Sequence, residues 1–281
     1  MRRSLCLVLA ACALTGCAPK PAVDAAVRAD RLTGGVRMIT VQTPKGAFKV
    51  WTKRMGDNPR IKVLLLHGGP GATHEYFEAL DSYFPAAGIE YYYYDQLGSA
   101  RSDQPDAPDL WDIPRFVEEV EQVRQALGLD KENFFLLGHS WGGILALEYA
   151  LKYQRHLKGL VISNMVASIP LYNRYAQNVL MPAMDPKVLT EILALEKSGR
   201  YDDPRYEELL MNHFKITVPT LAIGARYDTM EPAQMERIAK SVQRGRYLYC
   251  PTGSHLALYD DQTTYTQGLI RFLQDVDAGR L

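Results

Sequence analysis

Phe134-Phe135-Leu136-Leu137-Gly138-His139-Ser140-Trp141-Gly142-Gly143 is the stretch whose reading decides the fold. Four apolar residues in a row, without polar alternation, read as a strand covered on both faces. The strand runs directly into G-x-S-x-G, and Ile144 to Tyr153 follows with helical character. A tight strand-to-helix turn at this point would lift the Ser140 hydroxyl above the sheet edge. The flanking glycines let backbone segments approach more closely than side chains permit. The pentapeptide alone is a weak signal; its place between a strand and a helix carries the weight.

The same alternation extends outward in both directions. Val36 to Val41 and Ala47 to Thr52 flank Thr43-Pro44-Lys45-Gly46 as a hairpin, and Ile61 to Leu66 and Ile89 to Tyr94 are continuous apolar strands. Ile113 to Leu127 has helical periodicity, with Asp112 as N-cap and Pro114 in the first turn. Leu160 to Ser163 is a further strand. Regularity then breaks across 166–215, which contains Pro170, Pro182, Pro186 and Pro204 and reads as an inserted helical cap. It resumes with Val218 to Ile223, Ala233 to Val242, Arg246 to Tyr249 and a last helix from Asp261 to Val276. This order predicts an α/β core at 31–165 and 216–278, built on a mostly parallel sheet. Tyr91 to Tyr94 invites reading as a substrate platform; the two faces of a buried strand explain it better.

A serine nucleophile needs a base, and the base needs an orienting carboxylate. When the nucleophile sits on such a turn, these follow it in the order acid, then histidine, on loops after later strands. His255, in the loop after Arg246 to Tyr249, is the base candidate; His213 has no strand before it. Asp228, just past Val218 to Ile223, is the acid candidate. Glu231 lies three residues further on, and Asp260 and Asp261 precede the last helix, where N-capping suits them better. The oxyanion needs two N–H donors, and the backbone of Trp141, directly after the nucleophile, is the first.

His67-Gly68-Gly69-Pro70-Gly71, Asp95-Gln96-Leu97-Gly98, Gly138-His139-Ser140-Trp141-Gly142-Gly143, Tyr227-Asp228 and Gly253-Ser254-His255 together resemble the proline iminopeptidase family. That family has the α/β-hydrolase fold. The resemblance runs from Val36 to the C-terminus and implies Gly69 as the second oxyanion donor. It also implies release of N-terminal residues, proline above all, from peptides by a serine aminopeptidase. His67 then braces the glycine loop rather than serving as a second base. Three departures qualify this. Thr229 stands where the family places a glutamate after the catalytic aspartate. The cap is several dozen residues short, so the segment bearing a second ammonium-reading glutamate is missing. Ala100 replaces a glycine. Glu207 and Glu208 read as a solvated helix face. A missing carboxylate matters, because a charge-assisted contact is worth about 1.5–3 kcal/mol. Two other functions therefore stay open: a broader esterase or amidase with the same triad, and a non-catalytic envelope binding protein.

The N-terminus is a separate matter. Met1-Arg2-Arg3 precedes an apolar run from Leu5 to Leu14, too short to span a bilayer, and then Leu14-Thr15-Gly16-Cys17. This resembles a bacterial lipoprotein signal. It implies a signal peptide at 1–16, lipid on Cys17, a polar tether at 17–30 and a place in the cell envelope, the outer membrane or periplasm rather than the cytoplasm. Cys6 and Cys12 would leave with the signal, so Cys250 alone would remain, a small buried hydrophobe rather than a nucleophile.

Composition bounds the rest. The 281 residues are 47% apolar and 23% charged, as in an ordinary globular domain, and 32 basic residues balance 32 acidic ones. That balance argues against a nucleic-acid partner. The histidines at 67, 74, 139, 156, 213 and 255 lack metal-ligand spacing, and no dinucleotide or phosphate loop occurs, so no metal or cofactor is expected. The partners expected are a peptide or a small amide or ester, and a membrane reached through the lipid.

Overall fold

A computed structural model describes residues 34–165 and 216–281. The expected signal peptide, tether, Cys17 and cap lie outside the described residues, as do His213, Glu207 and Glu208. Within them lies one eight-stranded sheet in the order β1-β2-β4-β3-β5-β6-β7-β8. β1 (Val36–Thr43) and β2 (Gly46–Met55) form the hairpin, with Thr43 opposite Gly46. β2 pairs antiparallel with β4 (Glu90–Asp95). From β4 onward every pairing is parallel, through β3 (Lys62–Leu66), β5 (Phe134–His139), β6 (Gly159–Ser163), β7 (Thr220–Ala225) and β8 (Gly245–Cys250).

Two cores lie on the two sheet faces. α1 (Ile113–Leu127), α2 (Trp141–Tyr153) and α3 (Pro232–Ser241) bury their apolar stripes on one face. The 3-10 helix His74–Ser82, the short α4 (Ala257–Asp260) and α5 (Gln262–Asp277) cover the other. The four tyrosines of β4 alternate between them: Tyr92 and Tyr94 join the first core, Tyr91 and Tyr93 the second. All four are buried. They are the two faces of a buried strand, not a platform for substrate.

Local chemistry accounts for most boundaries. Asp112 caps α1 by accepting the Arg115 amide at 2.8 Å, and Gly128 ends it in the left-handed conformation at φ 65°. α2 begins at Trp141, three residues earlier than its periodicity suggests. Gly142 and Gly143 would ordinarily break a helix, but packing requires small residues here. A Cβ on Gly142 would lie 2.1 Å from the Leu66 carbonyl oxygen, so only glycine lets α2 sit against β3.

The topology sets the site's location. β3 has β4 on one side and β5 on the other, so the chain winds outward from β3 and then back across it. Strand order reverses between β3 and β5, and the crevice at their carboxyl ends is where open α/β sheets bind ligands.

Candidate active site

Ser140 sits in that crevice at the N-cap position of α2, with φ 55° and ψ −123°. A non-glycine residue reaches this conformation only under strain, and here the surroundings hold it. Its amide donates to the Ser163 carbonyl of β6 at 2.9 Å, and its own carbonyl accepts the Gly143 amide at 2.8 Å. The hydroxyl makes no cap hydrogen bond to its own helix.

Asp228 and His255 arrive from the ends of β7 and β8. Their loops are stitched together, the amides of Arg226 and Tyr227 donating to the carbonyls of Cys250 and Gly253 at 3.0 and 2.9 Å. The His255 Nδ1–H donates to Asp228 Oδ1 at 2.9 Å. A carboxylate only accepts, so this contact fixes the tautomer and leaves Nε2 as the free, basic nitrogen. The Asp228 side chain is 1% exposed and that of His255 35%, so the carboxylate is shielded from water while the imidazole stays accessible. Asp228 Oδ1 also accepts the Met230 amide at 3.0 Å. Asp261 stands at the N-cap position of α5, as expected, and also accepts the Thr252 amide at 3.0 Å; Asp260, one residue earlier, accepts the Ser254 amide at 2.9 Å. The loop carrying His255 curls back over the start of α5 to make both contacts.

The glycine loop after β3 lies over Ser140: a Cβ on Gly68 would be 3.1 Å from Ser140 Cβ. The Gly68 amide is occupied, donating to the Tyr76 hydroxyl at 2.8 Å. Gly69 turns the next amide with φ 117°, a conformation that favours glycine. The Trp141 amide, in the first turn of α2, has no intrahelical acceptor. His67 is buried; its Nδ1–H donates to the Gly68 carbonyl at 2.9 Å while Nε2 accepts the Gln96 amide at 3.1 Å. With both ring nitrogens committed, His67 braces the loop, as expected. Gln96 extends this brace, donating to the His67 carbonyl at 3.0 Å and accepting the Trp141 indole N–H at 3.2 Å. Its position in Asp95-Gln96-Leu97-Gly98 was the only sequence signal for it. In the same segment Ala100 takes φ 38°, a left-handed strain that a glycine would avoid. Cys250 is buried, and burial pushes its thiol up to about 12, as befits a core residue.

His139, within G-x-S-x-G, was not singled out from the sequence. It is buried beneath the site and donates from Nε2 to the His255 carbonyl at 2.8 Å. Burial, reinforced by the nearby His255, pulls its pKa down to about 4. Nδ1 has no hydrogen-bond partner among the described residues, so protonation would create a buried N–H that none of them receives. In the unfolded chain the ring titrates near 6.5 and takes up its proton first as pH falls. The neutral ring therefore supports folding fully above that value, and the support is lost between about 6.5 and 4. The shift corresponds to about 3 kcal/mol. Urea unfolding of His139→Gln, which keeps a donor but does not titrate, is expected to show a correspondingly flatter pH profile over this window.

These features define a serine hydrolase of the α/β-hydrolase fold, and residues 62–202 match the family model for that fold. The chain is 48% identical over 292 residues to the proline iminopeptidase of Flavobacterium johnsoniae, covering 85% of this chain and 98% of that one. It is 49% identical over 295 residues to the proline iminopeptidase of Elizabethkingia meningoseptica, covering 86% and 99%. The chain belongs to the proline iminopeptidase family. Among solved structures, a proline iminopeptidase of Mycobacterium smegmatis superposes with a TM-score of 0.71 at 21% identity, covering 87% of this chain and 99% of that one. An esterase of Exiguobacterium antarcticum superposes at 0.62 and 19%, covering 85% and 100%. At those identities both report the shared fold.

Proposed function

We propose that the protein is an aminopeptidase that releases N-terminal residues, proline foremost, through an acyl-enzyme on Ser140. The observation that carries the substrate class is the 48–49% identity to two proline iminopeptidases, and the Asp228–His255 pair with a serine held at φ 55° supports the acyl-enzyme route. Ser140 Oγ attacks the scissile carbonyl as His255 Nε2 takes its proton, then returns it to the leaving amine. Asp228 holds the tautomer and stabilises the imidazolium. The amides of Trp141 and Gly69 receive the oxyanion; Gly68 cannot, because Tyr76 occupies its N–H. Water then hydrolyses the acyl-enzyme by the same proton route.

A broader esterase or amidase is favoured by Thr229 and by the alignment itself. The match to the Flavobacterium relative spans 292 positions but takes in only 85% of this 281-residue chain, which supports a shortened cap. A prolyl p-nitroanilide and a short-chain p-nitrophenyl ester separate the two. Turnover of the anilide is expected; ester hydrolysis without it would sink the peptidase reading. A fluorophosphonate probe covers the third possibility, since failure to label the wild type would favour a binding protein.

The chain is further proposed to be a lipoprotein of the cell envelope, acylated on Cys17 and joined to its core through residues 17–30. The basic start, ten-residue apolar run and Leu14-Thr15-Gly16-Cys17 support this. Metabolic labelling with an alkynyl palmitate is expected to tag the wild type and to miss Cys17→Ala.

A further inference from the structure

Asn164 directly follows β6, which lies between the strands that deliver Asp228 and Ser140, and is wholly buried. Its φ of 49° is a left-handed conformation that asparagine tolerates better than most side chains. One Nδ2–H donates to Asp228 Oδ2 at 2.8 Å, and Nδ2 also donates to the Ser254 carbonyl, next to His255, at 3.2 Å. Its Oδ1 accepts the Ser163 hydroxyl at 2.7 Å, and Ser163 Oγ accepts the Tyr265 hydroxyl at 3.0 Å. Only one orientation of the amide satisfies this set, because a carboxylate and a carbonyl both require donors. The Asn164 amide donates to the Ile223 carbonyl of β7 at 2.9 Å, tying the residue's backbone to the strand that leads to Asp228.

We propose that Asn164 is the positioning residue of this site: its carboxamide fixes the Asp228 carboxylate and the His255 loop relative to each other. The inference rests on the triad reading given above. Asp228 Oδ1 serves His255 and Met230, so Asn164 is the side chain that holds the other oxygen and thereby sets the plane of the carboxylate. The second Nδ2 contact holds the loop bearing the imidazole at its matching height. Tyr265 and Ser163, from α5 and β6, keep the amide from turning over.

Asn164→Gly tests this, since glycine keeps the left-handed backbone and removes only the side chain. With the purified full chain and a prolyl p-nitroanilide, kcat per fluorophosphonate-titrated site is expected to fall about 10- to 100-fold, with KM within about twofold. In proton NMR spectra, the low-field His255 Nδ1–H resonance is expected to shift or broaden. A merely structural residue would lower the yield of active sites without moving either readout. Unchanged kcat per site and an unmoved resonance would overturn the proposal. Should Asn164→Gly not fold, Ser163→Ala decides by the same readouts, with an expected loss of about 2- to 10-fold. A wild type that neither labels nor turns over would bring down the triad reading and this inference with it. An active wild type matched by the variant brings down this inference alone.

Discussion

Replacing Ser140 with alanine is expected to lower turnover of a prolyl arylamide by about 10⁵- to 10⁶-fold and to abolish fluorophosphonate labelling. Among the described residues, neither His67 nor Cys250 can take over: His67 has both ring nitrogens committed, and the Cys250 thiol is buried and pushed up to about 12. A binding protein built on the same scaffold would show neither loss. Ser140→Gly separates chemistry from conformation. It is equally inactive, yet it relieves the strain of φ 55°, worth about 1–3 kcal/mol. Against this stands the entropic cost of glycine, about 0.5–1 kcal/mol. The net expectation is a gain of about 1 kcal/mol, read as a Tm about 2–4 °C above that of Ser140→Ala. A Tm below the alanine variant would mean that the turn is not strained.

Asp228→Asn is the second large effect, with an expected loss of about 10⁴-fold in kcat. All three groups around the carboxylate are donors: His255 Nδ1–H, the Met230 amide and Asn164 Nδ2. An amide has one acceptor atom. If it serves His255 and Met230, its NH2 faces the NH2 of Asn164 inside a buried site. If it turns over, it faces His255 as a donor and imposes the wrong tautomer. Either way the imidazolium loses its counter-charge. Steady-state kinetics beside circular dichroism will distinguish this from unfolding; a loss below about 100-fold would place the orienting acid elsewhere, with Glu231 the next residue to test.

Much of the frame was legible in the sequence because it depends on local features. The continuous apolar runs predicted buried parallel strands, and the structure has them within one or two residues. α1 spans the predicted Ile113–Leu127, since its cap, its proline and its terminal glycine all lie next to it in the chain. Asp228 and His255 could be selected because each follows a recognisable strand. The start of α2 was misread because Gly142-Gly143 looks like a helix breaker until the Leu66 carbonyl pressing on it is seen. Of the two aspartates before the last helix, Asp261 takes the N-cap position as expected, while Asp260 serves a loop that folds back over it.

What the chain determined by itself is the strand-turn-helix that raises Ser140, and the order in which Asp228 and His255 follow it. Periodicity, turn chemistry and chain order are written within a few residues of each other, so they can be read without coordinates. What only the tertiary structure decided is the wiring: Tyr76 claiming the Gly68 amide, Gln96 joining His67 to Trp141, and Asn164 bridging Asp228 and Ser254. The last two contacts join residues 64 and 90 positions apart. Such partners meet because strand order brings β6, β7 and β8 side by side, and a hydrogen bond depends on ångströms that no spacing in sequence records.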